Sequence, residues 1–244
     1  DELVKQDWRK RTDNDYIINA ALSWEVFEGL NLKTSYTTSK GFREDLRFFG
    51  PLTGESFNNG GSMPLGQKAN TETNSYRLIN TISFKKQLEN SKVDLLFGNE
   101  ISSSTGKNYF IRAEEFRMSI TPEELFANMA FGTVDRTYTT NFTPSNRLSY
   151  FGRADYQLND TYMLTGTFRA DQSSRFSKEN RLGIFPAIAL GVKLEQLNFF
   201  KDIESIDQLK LRLSFGSTGN DRIDATATQF LFRASTLRGI GFNN

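Results

Sequence analysis

Two carboxylate pairs, Glu114-Glu115 and Glu123-Glu124, are the residues of this 244-residue chain whose types most readily suggest chemistry. Paired carboxylates act as acid and base in glycoside hydrolysis when they flank a substrate. Here the members of each pair are neighbours in sequence, and neighbours on a strand face opposite ways. Nothing in the pattern sets them across a bond. Asp13-Asn14-Asp15 is too short for a calcium loop. Gly106-Lys107 is followed by Asn108 and lacks the earlier glycine of a phosphate-cradling loop. Asn141-Phe142-Thr143 and Asn159-Asp160-Thr161 match the glycosylation sequon, and chance accounts for them. The chain has no Cys and no His. That removes thiol nucleophiles, thiolate and imidazole metal sites and every triad that needs an imidazole. Lys+Arg 30 against Asp+Glu 29 leaves a charge of +1, which supplies no field for nucleic acid. The expectation is a non-enzyme with no metal and no cofactor.

Binding is the remaining chemistry. The segment 43–70 is rich in turn residues and carries Phe48, Phe49 and Phe57. Exposed aromatics there stack on sugar faces or bind peptides, or else pack within the loop. Asp171-Gln172-Ser173-Ser174-Arg175-Phe176 follows a strand-like stretch. Arg175 and the hydroxyls either touch a ligand or shape a turn, with Arg175 paired to Asp171. Thr121-Pro122-Glu123-Glu124 reads as a helix start with a capping box and proline in the first turn. Leu125, Phe126, Met129 and Ala130 then form an apolar stripe ended by Gly132.

The elements that must hold these residues alternate with period two. From Asp15 to Val26, Tyr16, Ile18, Ala20, Leu22, Trp24 and Val26 share one face. Stretches 30–39, 92–102, 147–158, 161–171 and 209–216 repeat the pattern, while 74–86 and 184–194 fit less cleanly and 225–234 weakly. About nine strands result. Two architectures compete: a soluble β-sandwich, such as a carbohydrate-binding module, and a membrane barrel with its apolar face to lipid. Alternation spans 12 residues at 15–26, whereas sandwich strands average ~5–6 and membrane-crossing ones need ~9–11. Connections alternate too. Glu28-Gly29, 87–91 and Asn159-Asp160 are short, and 43–70, 106–145 and 173–183 are long. Short turns at one end and long loops at the other mark a membrane barrel. The segment 195–207 breaks that rule. Trp24, Phe27, Tyr36, Tyr150, Tyr156 and Tyr162 fall near strand ends, as interfacial girdles do. The N-terminal residues do not read as a signal peptide.

Three blocks resemble the SusC/RagA family of TonB-dependent outer-membrane transporters. The first is Ser149-Tyr150-Phe151-Gly152-Arg153-Ala154-Asp155-Tyr156, continued by Tyr162 to Asp171 with Arg169 near its end. The second is Ser173-Ser174-Arg175-Phe176, then Phe185-Pro186 through Gly191. The third runs from Leu209-Lys210-Leu211-Arg212 through Gly216 to Gly219-Asn220. Gln172, Ala187, Val192 and Phe215 depart from the family's wording. The resemblance implies an all-β fold, with about nine antiparallel strands of a 22-stranded transmembrane barrel and long extracellular loops. Residues 1–244 then form one partial barrel domain, without signal peptide, plug or final strands. It further implies active import of glycans or oligopeptides, a SusD-like lipoprotein as lid, TonB acting through parts outside this chain, and outer-membrane lipid around the wall. The 121–132 stripe becomes a candidate contact for the lipoprotein or for neighbouring loops. Arg153, Asp155, Arg169, Asp171, Lys210 and Arg212 are expected to face the lumen.

Overall fold

The structure is a computed structural model that describes residues 6–59, 61–200 and 207–220. The described residues form one antiparallel sheet of nine strands. Its strands are β1 (Asp7–Phe27), β2 (Leu30–Phe49), β3 (Leu65–Gln87), β4 (Ser91–Glu114), β5 (Thr133–Asn141), β6 (Ser145–Leu158), β7 (Tyr162–Ser173), β8 (Leu182–Lys193) and β9 (Lys210–Gly216). They lie in the order β1-β2-β3-β4-β6-β7-β8-β9, with β5 beside β4. The weak 225–234 prediction lies outside the described residues. The ninth strand among the described residues is instead β5, which lies within the expected 106–145 loop.

β5 and β6 both run antiparallel to β4. β6 pairs with its Ser91–Ser104 stretch and β5 with its Lys107–Glu114 stretch. They are thus two segments of one rail, interrupted at 142–144. Pro144 has no N–H to give a ladder, which suits it to the break. Phe142 keeps one bond, its N–H donating to the Gly106 carbonyl at 2.8 Å.

Strict registers make the faces easy to assign. Along β1 to β3 the even residues share one face, and so do the odd residues of β4 and the even residues of β6 to β8. This face carries Leu22, Trp24, Leu32, Ile82, Phe97, Leu164, Phe168 and Ile188. They stay uncovered: Leu22 is 73% exposed, Trp24 61%, Phe97 56% and Phe215 83%. A sandwich would bury them under a second sheet, and the described residues contain none. The sandwich alternative therefore fails on the absence of a covering layer.

The strands are longer than the alternation suggested. β1 to β4 span 21, 20, 23 and 24 residues, about twice what a membrane crossing needs. Their far halves mix charged and apolar residues on the same face, which weakens the period-two signal at 40–49, 65–73 and 103–114. The loops shrink accordingly to 50–64 and 115–132. The turn ends are tight. Asn159 and Asp160 both have positive φ (49° and 55°), the pattern of a hairpin turn matched to strand twist. The long 194–209 connection stays tied at its base, since the Leu194 N–H donates to the Leu209 carbonyl at 2.7 Å.

A compact apolar cluster sits toward the long-loop ends of the strands, beyond the belt that the exposed apolar side chains form. Phe48, Ala113, Phe116, Ile120 and Leu125 are buried together, with Trp8, Phe126 and Met129 against them. α2 (Pro122–Ala127) forms as predicted, with a reciprocal capping box between Thr121 and Glu124. It ends earlier than expected, and Gly132 instead caps a following 3-10 turn, Met129–Phe131. The helix stripe packs on its own sheet. A Cβ at Gly66 would lie 2.3 Å from Leu125 Cδ2, so that glycine makes the seat for the helix.

The two faces make a direct prediction. In the full-length barrel, Ile188→Arg on the apolar face should destabilise folding into lipid vesicles by about 2–4 kcal/mol, whereas Thr167→Arg on the opposite face should change it little. Denaturant titration of refolding reads both. Equal costs would contradict the face assignment.

Candidate functional site

The polar face is where chemistry concentrates. Every arginine of the nine strands lies on it, from Arg9 and Arg11 on β1 to Arg212 on β9. The opposite face uses only lysine for its cations: Lys10, Lys40, Lys68, Lys86 and Lys107. A guanidinium fork matches carboxylates in a fixed geometry, and ion-paired ladders use that match.

Three networks result. The first joins β1 to β2 beyond the belt. Arg9 Nε donates to Asp45 Oδ1 at 2.8 Å, its Nη2 to Oδ2, and Arg11 adds a bond at 3.0 Å. Arg43 bonds Asp13, and Arg47 meets Asp7 at 3.5 Å. The Arg9 hydrogen bonds, followed by those of Arg11, hold the Asp45 carboxyl down from an ordinary 3.8 to about 2, against the opposing effect of partial burial. The second network crosses β3, β4, β6 and β7. Glu100 receives Arg77 at 3.1 Å and Arg169 at 3.8 Å. Arg169 also grips Asp171 at 2.8 Å and donates to Ser149 at 3.1 Å. Below it, Arg153 pairs with Asp155, which also accepts from Thr165. Arg153, Asp155, Arg169, Asp171, Lys210 and Arg212 therefore all share the polar face, as expected.

The third network is centred on Arg112, whose side chain is 8% exposed. It meets Glu55 of α1 (Gly54–Asn59) at 3.0 Å, Glu114 at 3.7 Å and Asp135 at 3.3 Å. The β4–β5 register shifts beside Arg112, which leaves Asp135 as the extra, bulged residue and turns it to the guanidinium. Sequence reasoning missed this clasp. Its partners come from three elements and no spacing signals them. Glu114 is an ion-pair partner here and Glu124 a helix cap, so neither carboxylate pair forms an acid–base site.

The loop aromatics separate. Phe48 and Phe49 end β2 and are 4% and 5% exposed, which corrects their reading as exposed loop residues. Phe48 joins the apolar cluster, and Phe49 lies under the Arg47 guanidinium at 4.6 Å. Phe57 on α1 does stay out, 73% exposed.

The three sequence blocks converge. Asp171, Ser173, Phe176, Phe185, Gly219 and Asn220 surround one pocket of about 320 Å³ at the long-loop rim, with Arg147 and Arg181. Phe185 lines it from β8. A Cβ at Gly219 would lie 2.2 Å from its ring and one at Gly183 2.6 Å, so both glycines make room for it. The motif hydroxyls bond the backbone. Ser174 Oγ accepts from the Asn146 N–H at 2.8 Å, and Ser173 Oγ from the Arg175 N–H at 3.4 Å. Arg175 Nε donates to Ser145 at 3.1 Å, while Asp171 is held by Arg169. Pro186 and Gly191 lie on β8, and Gly216 faces Ala187 across β8–β9. Leu209 closes the β8–β9 base, its N–H on Glu195 at 3.2 Å.

An antiparallel sheet that is apolar and uncovered on one face and ion-paired on the other is the wall of a transmembrane β-barrel. The chain belongs to the family described as TonB dependent receptor-like, beta-barrel, whose model matches residues 4–240. It is 49% identical over 88 residues to the TonB-dependent receptor SusC of Bacteroides thetaiotaomicron, covering 36% of this chain and 9% of that protein. It is 28% identical over 226 residues to the TonB-dependent receptor P3 of Formosa agariphila, covering 93% of this chain and 22% of that protein. In fold it matches the structure of the RagAB peptide transporter, with TM-score 0.76 and 20% identity, over 91% of this chain and 24% of that one. The chain thus spans less than a quarter of these relatives. Its barrel belongs to the outer membrane, with the apolar belt in lipid and the arginine face in the lumen.

The Asp45 site sets an acid limit. Its folded pKa lies below the unfolded value, so its stabilisation is present above pH ~4 and is lost as pH falls toward 2. Proteolytic nicking of the β1–β2 extension in the intact barrel should rise across that window. Asp45→Asn should nick readily at neutral pH and lose the acid dependence. An unchanged pH profile in the variant would count against the Arg9–Asp45–Arg11 latch.

Proposed function

We propose that this chain is barrel wall of an active importer that carries oligomeric nutrients, glycans or oligopeptides, across the outer membrane. The observation that carries the reading is the division of its faces within a TonB-dependent receptor family chain. Lipid-facing apolar residues anchor it, and a lumen face of ion pairs holds the wall rigid while cargo passes. A SusD-like lipoprotein captures cargo above the long-loop rim. TonB, coupled to the inner-membrane proton gradient, opens the path through parts outside this chain. The RagAB structure is that of a peptide transporter, and its barrel shares this fold. The work of this chain is steric and electrostatic. Phe57 on α1 and Arg175 beside the rim pocket are the loop groups proposed to meet cargo. The family-motif residues Arg169, Ser173, Ser174, Phe176 and Phe185 shape the rim that presents them.

The test uses the full-length protein in its own cells. Deletion should abolish uptake of one labelled oligosaccharide or oligopeptide pool, an uncoupler should do the same, and a surface lipoprotein should co-purify in mild detergent. Phe57→Ala should weaken cargo retention several-fold with barrel abundance unchanged. Uptake that survives the uncoupler would sink the active-import reading.

A further inference from the structure

A hydrogen-bonded polar ladder lies inside the lipid-facing belt. Thr34, Asn80 and Asn99 occupy one register row on the outward face of β2, β3 and β4. Thr34 Oγ1 donates to Asn80 Oδ1 at 3.0 Å, and Asn80 Nδ2 donates to Asn99 Oδ1 at 3.0 Å. The Asn99 amide nitrogen ends the ladder with no acceptor among the described residues. Apolar residues continue on both sides, Leu78 and Ile101 toward the long loops and Ile82 and Phe97 toward the turns. A polar group in hydrocarbon is costly unless it finds a partner, and such groups mark sites of interaction. Transport gives this row no task, because it faces away from the lumen.

The ladder opens onto a groove. Two depressions meet along Ile82 and Phe97, one of about 370 Å³ beside Asn99 and Tyr150, the other of about 640 Å³ running over Gly152 and Gly166. The fold does not demand glycine there. A Cβ at Gly152 would meet nothing closer than 3.7 Å, and one at Gly166 nothing within 4 Å. Glycine weakens a strand interior, so its presence without steric need points to something that lies close against the strand.

The geometry points to an outer-leaflet lipid as the occupant, with the Asn99 amide donating to an acyl carbonyl and the chain lying along the groove toward Gly166. The groove is continuous with the belt, which is already the lipid interface. Its polar end lies on the long-loop side and its apolar end deeper, the order of carbonyl and chain in the outer leaflet. A neutral donor suits an ester or amide carbonyl rather than a phosphate. In an outer membrane that leaflet is built of acylated saccharide lipid, lipid A. The inference rests on the barrel and its orientation, not on what the barrel carries.

The test is native mass spectrometry of the full-length barrel, washed in mild detergent after exposure to lipid A or to phosphatidylethanolamine vesicles. One lipid A per barrel should survive washing. Asn99→Leu, which removes the donor, should lower retention about tenfold, roughly the worth of one net hydrogen bond, and Gly166→Leu, which fills the groove by steric bulk, should lower it as well. Ala20→Leu, on the same face but outside the groove, should leave it unchanged. Heat-modifiable gel mobility checks that each variant is folded, and either groove variant alone suffices. Equal retention in wild type and variants, preference for the phospholipid, or a second protein chain held at this face would each overturn the assignment.

Discussion

A backbone inside a bilayer has nothing to bond but itself, and that constraint shapes this molecule. Each N–H and C=O in the belt must be met by a neighbouring strand, so the chain becomes a sheet with strict registers. Strict register then fixes which residue faces which medium. A one-residue slip on any strand would turn its apolar set into the lumen and its charges into lipid. The few irregularities sit near strand ends: the β1–β2 shift between Glu25 and Phe27 next to the tight turn, and the β4–β5 shift beside Arg112 and the break at 142–144 toward the long loops.

The same division explains the cations. In the lumen, strands must be braced without a hydrophobic core, since the described residues place no second layer on the sheet. Guanidinium–carboxylate pairs across neighbouring strands do this, and Glu100 and Asp45 each draw two arginines. Surface pairs of this kind are individually weak, so rigidity rests on networks rather than single bridges. Beyond the belt a small apolar cluster takes over. Leu125 seated on Gly66, with Trp8 and Phe126 alongside, clamps the extensions of β1 to β4 from outside. Arg112 fastens α1 from inside.

These two fastenings position the rim loops that the functional proposal relies on. The motif blocks at Asp171–Phe176, Phe185 and Gly219-Asn220 lie far apart along the chain but close around one ring, that of Phe185. Their hydroxyls are occupied by backbone N–H groups. A loop pinned in this way holds a shape at the mouth of the barrel without relying on contact with cargo.

The sheet, its two faces and its short and long ends are all legible in the residue order alone. Those depend on side-chain alternation and turn residues, which are local, as at Tyr16–Trp24 and Asn159-Asp160. The capping box at Thr121 and Glu124 was legible for the same reason. The tertiary structure decided what local pattern cannot carry. Strand ends that mix charged and apolar residues on one face, such as Phe42–Phe49 and Gly106–Glu114, carry too weak an alternation to read as strand. Phe48 and Phe49 became buried residues only once α2 and Arg47 covered them. The Arg112 clasp, the Glu100 junction and the Thr34–Asn80–Asn99 ladder each join residues many positions apart. Their existence depends on strand register, and register is set by the whole sheet rather than by any one segment.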